Sequence, residues 1–221
     1  SDTFFDSCWY WLRYPSADID DRPFDAGRTA RFLPVGQYAG GREHVTRHHL
    51  YARFAAMALH DIGLLPFAEP FPVLRLHGDL LYGGKDMSKS RGNIVDPDDY
   101  VDRHGADVLR TAVFFSSRWD EGGDFRDDAI VGVERFFARL WRRADSEPDG
   151  TAPADRVIDA VDRAYASMRL NVAVARLMEA VRTVDARTLT LLVAPIAPYL
   201  AEELWSRLGG RGSVHTQPWP N

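Results

Sequence analysis

Between residues 32 and 63 a β-like run, a pair of glycines and a helix-length stretch follow one another directly, and this order limits the folds open to the chain. Phe32-Leu33-Pro34-Val35-Gly36-Gln37-Tyr38 reads as a short strand ending at Gly40-Gly41; Glu43 then opens a helix to about Ile62, which Gly63 closes. Glycine lets a ligand approach the backbone, and a helix start presents free N–H groups, so the junction suits a nucleotide. A second β-like run, Phe71 to Leu76, leads through Gly78 to a glycine-flanked basic loop. That is the placement of a strand delivering a phosphate loop at the carboxyl end of a parallel sheet. From Asp128 onward the pattern is wholly helical. The expected class is α/β: part of a nucleotide-binding parallel sheet followed by an α-helical bundle.

The loop itself, Gly83 to Asn93, sets small hydroxyls among cations between glycines at both ends. It reads either as a solvated basic surface loop or as a flexible clamp for polyphosphate. His44 and His48 lie four apart and are expected on one face of the helix that Glu43 opens. Three readings stand for them: a satisfied structural pair, a metal site, or a pair facing a ligand. The metal reading lacks a His-Glu-x-x-His order and cysteine partners, so no metal ligand is assigned. Farther along, Tyr51, Phe54, Ala58 and Ile62 keep the 3.6-residue period and are expected in the core. The aromatic-rich opening, Thr3 to Tyr14, is read as buried packing or as a pocket wall. Pro15 to Arg31 shows no period and is expected to be a surface connection.

In the helical half, Ile130, Val133, Phe136, Phe137, Leu140 and Trp141 form an apolar stripe, leaving Arg135, Arg139, Arg142 and Arg143 mostly opposite. Those arginines make either a solvated face or a strip for a nucleic-acid backbone. A linker is expected at Ser146–Pro153, with Glu147–Gly150 as a turn. Helices over roughly Ala154–Val184, interrupted near Arg169, and Ala186–Leu208, bent at Pro195 and Pro198, complete the bundle. The chain of 221 residues is 45% apolar, enough for one or two cored domains, and its net charge of −5 confines any nucleic-acid contact to a local patch. No apolar run reaches the length of a membrane span, and one cysteine, Cys8, fits a reducing cytoplasmic setting. Opening on Ser1 directly into an aromatic element suggests a segment of something longer.

Met87-Ser88-Lys89-Ser90 resembles the Lys-Met-Ser-Lys-Ser signature of class I aminoacyl-tRNA synthetases, and Arg91-Gly92-Asn93-Ile94-Val95-Asp96-Pro97 reads like the leucyl branch. The first lysine of that signature falls on Asp86, with Lys85 displaced by one. Gly40-Gly41-Arg42-Glu43-His44-x-x-x-His48-x-Leu50-Tyr51-Ala52-Arg53-Phe54 is similar to that branch's Gly-Gly-x-Glu-His-x-x-x-His-Leu-Leu-Tyr-Ala-Arg-Phe. Thr3 to Tyr14 resembles its Asp-Thr-Phe-x-Asp-Ser-Ser-Trp-Tyr-x-x-Arg-Tyr, with Cys8 in place of a serine and a bulkier Trp11. Asp96 to Arg110 resembles its connector, Leu170–Glu179 and Ala194–Trp205 resemble helices that bind the anticodon, and Ser213–Pro220 resembles the stretch that closes that bundle.

The resemblance implies the second half of a class I synthetase Rossmann-like sheet, with residues 1–126 catalytic and residues 127–221 a shortened anticodon-binding helical domain. It implies ATP, with magnesium accompanying the nucleotide, leucine or a similar amino acid, and leucine-type tRNA as ligands, and a longer protein carrying the absent His-x-Gly-His half. Lys89, Ser88 and Ser90 would be catalytic; Gly40, Gly41, Glu43, His44, Met87 and Lys89 would meet ATP. Phe5, Cys8, Trp11, His44 and His48 would form the amino-acid pocket, and Arg135, Arg139, Arg142 and Arg143 would meet tRNA. Three functions compete. One is a leucine-tRNA ligase segment with little activity alone, another a stand-alone paralogue that binds tRNA or an amino acid without activating it, and the last a structural remnant.

Overall fold

The computed structural model describes residues 3–145 and 154–220. The linker Ser146–Pro153, with its expected turn at Glu147–Gly150, lies outside the described residues. The chain forms two compact units, Ser1–Gly78 and Asp79–Asn221. By packing, residues 79–126 go with the helices, whereas the border expected at 126/127 divides the chain by sequence pattern.

In the first unit, helices α1 (Thr3–Ser7) and α2 (Tyr10–Arg13) precede α3 (Ala26–Phe32). The stretch expected as an irregular connection therefore contains a helix, because Asp25 caps it: its carboxylate accepts from the Arg28 N–H at 2.9 Å. Strand β1 (Tyr38–Gly41) is shorter and later than the expected Phe32–Tyr38 run. Phe32 closes α3, and Pro34, which has no N–H to give a ladder, occupies the connection. Strand β2 (Leu74–His77) runs parallel to β1, with Tyr38 opposite Leu74 and Gly41 opposite His77. Helix α4 (His48–Asp61) begins later than expected, since Arg42–His44 forms a separate 3₁₀ turn.

The face that α4 buries also differs from expectation. Ala52 and Ala56 are fully buried in a cluster with Trp11, Leu12, Leu65 and Phe71, whereas Phe54 and Ile62 are 68% and 69% exposed, with Tyr51 and Ala58 exposed beside them. The helix is apolar on two faces, and the one with small side chains allows the closer approach.

In the second unit, β3 (Leu80–Tyr82) and β4 (Lys85–Asp86) form an antiparallel hairpin, and β5 (Gly123–Phe125) lies parallel to β3. The Asp96 side chain caps α5 (Pro97–His104), accepting from the Asp98 N–H at 3.0 Å; Gly105 breaks the helix, and α6 (Ala106–Ser116) restarts it. Helices α7 (Asp127–Arg143), α8 (Ala154–Ala166), α9 (Leu170–Ala180), α10 (Ala186–Val193) and α11 (Pro198–Arg207) follow. The interruption near Arg169 separates α8 from α9, and the bend expected at the prolines is a full break, with Pro198 starting α11 at a position where its missing N–H costs nothing. Val133, Leu140, Val161, Val174, Leu177, Leu192 and Leu204 are fully buried in a single core. Arg143, expected on the outer face, is 7% exposed: it falls one helical turn beyond Leu140 and follows the buried stripe.

The connector is tied to this core by one carboxylate. Asp107, also 7% exposed, accepts from the Leu200 N–H in the first turn of α11 at 2.7 Å and from Arg110 Nη1 at 2.6 Å; Arg110 also donates to the Ile196 carbonyl at 3.3 Å. Removing the carboxylate leaves both a helix-start N–H and a guanidinium short of their acceptor. Asp107→Ala is expected to destabilise the chain by about 2 kcal/mol, read as a lower urea midpoint by circular dichroism, with Asp107→Asn falling between it and the parent.

Candidate functional site

The parallel pair of the first unit ends in Gly41 and His77, and a cleft of about 530 Å³ opens there. α1 and α2 contribute Phe4, Ser7 and Tyr10 to it, and β1 and the 3₁₀ turn contribute Tyr38, Gly40, Gly41, Glu43 and His44. The start of α4 adds His48 and His49. The expected Gly40, Gly41, Glu43, His44 and His48 are thus brought together in one wall.

A chain of hydrogen bonds crosses this wall. Ser7 Oγ meets His48 Nδ1 at 3.4 Å, His48 Nε2 meets the Tyr38 hydroxyl at 2.7 Å, and that hydroxyl pairs with the Tyr10 hydroxyl. Each of the three inner links can run in either direction, so a neutral imidazole satisfies the chain in either tautomer. Burial holds His48 below the usual histidine range, and the neighbouring His49 and His44 rings push the same way. Burial, followed by His44, lowers His49 too. Burial and the Tyr10 contact raise Tyr38, so its phenol stays protonated at neutral pH. The Tyr38 ring stacks on Phe71 at 3.9 Å, which fixes the hydroxyl's direction. Over the glycine turn, the Glu43 carboxylate folds across Gly41, where an added Cβ would run into it, and lies 3.6 Å from His44 Nε2. The result is an aromatic, uncharged floor with a carboxylate at its rim.

Of the aromatic opening, the expected pocket residues lie outside this cleft. Phe4, Ser7 and Tyr10 face the cleft; Phe5, Cys8 and Trp11, each one position later, do not. One residue along a helix turns a side chain by 100°, enough to move it to another face. Phe5 and Cys8 instead border a separate apolar cavity of about 560 Å³. The Cys8 thiol donates to the Phe5 carbonyl at 2.9 Å, and burial pushes it up from the usual thiol range. Trp11 is a core residue, its Nε1–H donating to the Cys8 carbonyl at 2.8 Å and its ring packed on Phe67 and Phe71. Sequence reasoning missed Tyr38 and His49 as cleft residues; a strand boundary drawn at Tyr38 and an unmarked place in the histidine pattern hid them.

The basic loop belongs to the second unit. Gly83 and Gly84 both take positive φ, 63° and 70°, giving the tight hairpin turn between Tyr82 and Lys85 that few other residues accept. The Gly84 N–H is held by Asp124 of β5 at 2.9 Å. Asn93 closes the far side: its side-chain oxygen accepts from the Ser88 N–H at 2.9 Å and its amide donates to the Asp86 carbonyl at 3.1 Å. Ser88 and Ser90 hydroxyls pair at 2.8 Å, Met87 is half-buried, and Lys89 begins a 3₁₀ turn, Lys89–Arg91. Lys85 and Asp86 are consecutive in β4 and so point to opposite faces of the ribbon. On α7, Arg135, Arg139 and Arg142 are exposed, leaving Arg143 out of the expected strip. Among the described residues, no group of three or more histidine, cysteine, aspartate or glutamate side chains is placed to hold a metal ion, and no helix is long and apolar enough to cross a membrane.

Comparison with known proteins bears on this geometry. Residues 2–123 match the family described as tRNA synthetases class I (I, L, M and V), and residues 186–221 match the anticodon-binding domain of tRNA ligase. The chain is 41% identical, over its full length, to 30% of the leucine–tRNA ligase of Rubrobacter xylanophilus, and it is 41% identical over the same shares to that of Herpetosiphon aurantiacus. It spans about a third of the length of these curated relatives. It also superposes on a LeuRS crystallised as a ternary complex with tRNA and LeuAMS, from Agrobacterium radiobacter K84. There the TM-score is 0.86 at 31% identity, covering 100% of this chain and 33% of that one.

The depressed histidines set a pH dependence. Between their folded values and about 6.5, the unfolded chain binds protons that folded His48 and His49 refuse, so stability is complete above about pH 6.5 and falls as the pH drops below it. Thermal melts from pH 8 to pH 5.5 are expected to show this fall, and a His48→Gln/His49→Gln variant is expected to show a flatter profile.

Proposed function

Because this chain belongs to the class I tRNA synthetases and resembles leucine–tRNA ligases along its whole length, we propose that it supplies part of the machinery that activates leucine with ATP and esterifies it to tRNA. The observation that carries this reading is the cleft that gathers Gly40, Gly41, Glu43, His44 and His48 around a neutral hydrogen-bond chain. In the first step, a leucine carboxylate oxygen attacks the α-phosphorus of ATP, the bond to the β-phosphate bridging oxygen breaks, and pyrophosphate leaves. In the second, a terminal ribose hydroxyl of tRNA attacks the carbonyl, loses its proton and displaces AMP. Neither step forms a bond to the protein, so positioning and charge stabilisation carry the rate.

Each residue has a role in this scheme. Tyr10, Tyr38, Phe4 and the neutral His48 give the leucine side chain an uncharged wall. Gly40 and Gly41 let the adenosine approach the backbone, and Glu43 accepts from its hydroxyls. Lys89 neutralises the departing pyrophosphate, with Met87, Ser88 and Ser90 shaping the loop around it. Magnesium travels with the nucleotide in this chemistry; the described residues offer no cluster for it, and no step is assigned to it. Arg135, Arg139 and Arg142 follow the tRNA backbone. The division into a catalytic part, 1–126, and an anticodon-binding part, 127–221, and a cytoplasmic setting both belong to this reading. Leucine-dependent ATP–pyrophosphate exchange is the test: it is expected in the protein carrying this chain together with the His-x-Gly-His half, and much less in the chain alone. Lys89→Ala is expected to cost about 3 kcal/mol of transition-state stabilisation, on the order of a hundredfold in rate.

A second reading, binding of tRNA without activation, draws on Asp86. With Lys85 on the opposite face of β4, the loop carries a carboxylate where the signature carries a cation. Under this reading exchange stays absent even beside the missing half, while a tRNA gel shift persists. In either case Arg139→Ala is expected to weaken the shift and to reduce its salt dependence by about one counterion in the slope.

A further inference from the structure

His49 lies at the floor of the cleft, 2% exposed, and its Nδ1 is buried with no hydrogen-bond partner. Its ring stands edge-on to Tyr38 at 5.4 Å and to Phe71 at 5.9 Å, an apolar surround that a leucine would fill at no polar cost. The His-Leu-Leu-Tyr pattern that this stretch resembles has leucine at that place, so the imidazole is a departure of this chain. On its other edge, Nε2 lies near Gly40, 3.5 Å from where a Cβ would stand.

An orphaned lone pair is cheaper to bury than an orphaned N–H, so the tautomer that suits this site keeps Nδ1 bare and puts the proton on Nε2. The donor is then presented beside the glycine turn. Burial and the His44 ring keep the imidazole neutral, which suits an uncharged acceptor and offers little to a phosphate. We propose that His49 is a specificity-determining residue, its Nε2–H donating to an uncharged acceptor of a nucleoside seated at Gly40, a ribose oxygen or a base nitrogen. This rests on the reading of the cleft as the seat of leucine and adenosine.

The trade implied is stability of the empty protein against grip on the nucleoside. Calorimetric titration of the protein carrying this chain together with the His-x-Gly-His half, with a sulfamoyl analogue of leucyl adenylate, with adenosine and with leucinol, separates the possibilities. His49→Leu is expected to raise the thermal midpoint of that unliganded protein, weaken the analogue and adenosine about tenfold, and leave leucinol unchanged, with His49→Asn recovering part of the loss. In the parent, the analogue is expected to shift the His49 ring ¹⁵N signals. Unchanged analogue affinity in His49→Leu, with the parent binding all three probes, overturns the role of His49 and leaves the cleft reading intact. A parent that binds none of them overturns both. Where His49→Leu does not fold, ring ¹⁵N signals that stay still on binding overturn the proposal.

Discussion

The parallel pairing of Tyr38–Gly41 with Leu74–His77 is the constraint from which the cleft follows. Parallel strands cannot be joined by a tight turn, so the chain between them must cross over, and here the crossover includes α4. That crossover sets the start of α4 next to the end of β1, which puts His48 within reach of the Tyr38 hydroxyl. The buried alanines of α4 hold the helix close enough for this short link, and Phe71, stacked on Tyr38, stops the ring from swinging away. Packing and site chemistry are therefore the same set of contacts viewed from two sides.

Neutrality is what these contacts produce. Three imidazoles stand near one another, and two of them, His48 and His49, are buried enough to be held uncharged. Charging either would place a cation among aromatic rings with no carboxylate in the floor to meet it. The basic loop works by the opposite logic: its cations stand on a ribbon whose backbone is fixed by Asp124 and Asn93, two neutral-to-anionic side chains that bond only to main-chain groups. Backbone shape is set there by hydrogen bonds, and one of the loop's cations joins in, Arg91 donating to the Asp86 carbonyl at 3.3 Å.

Much of this was legible in the residues. The glycine pairs, the helix break at Gly105 and the separation of α8 from α9 follow from local backbone preferences, and the apolar stripe of α7 fixed its buried face. The histidine and glycine wall was legible as well, because its members are close in sequence. Where reading failed, two faces competed. On α4 the large apolar residues mark one face and the alanines another, and periodicity alone does not say which meets the sheet. In the aromatic opening, neighbouring registers both carry large rings, so no local signal says that Phe4, Ser7 and Tyr10 rather than Phe5, Cys8 and Trp11 line the cleft.

The sequence by itself determined the element types, the strand–glycine–helix order and the kinship with class I synthetases, because these depend on residues a few positions apart or on pattern. Tertiary structure alone decided which faces are buried, that Asp107 caps a helix 93 residues away, and that Ser7, Tyr10, Tyr38 and His48 form one chain of hydrogen bonds. Such contacts join side chains from separate elements, and their geometry is fixed only once those elements have packed.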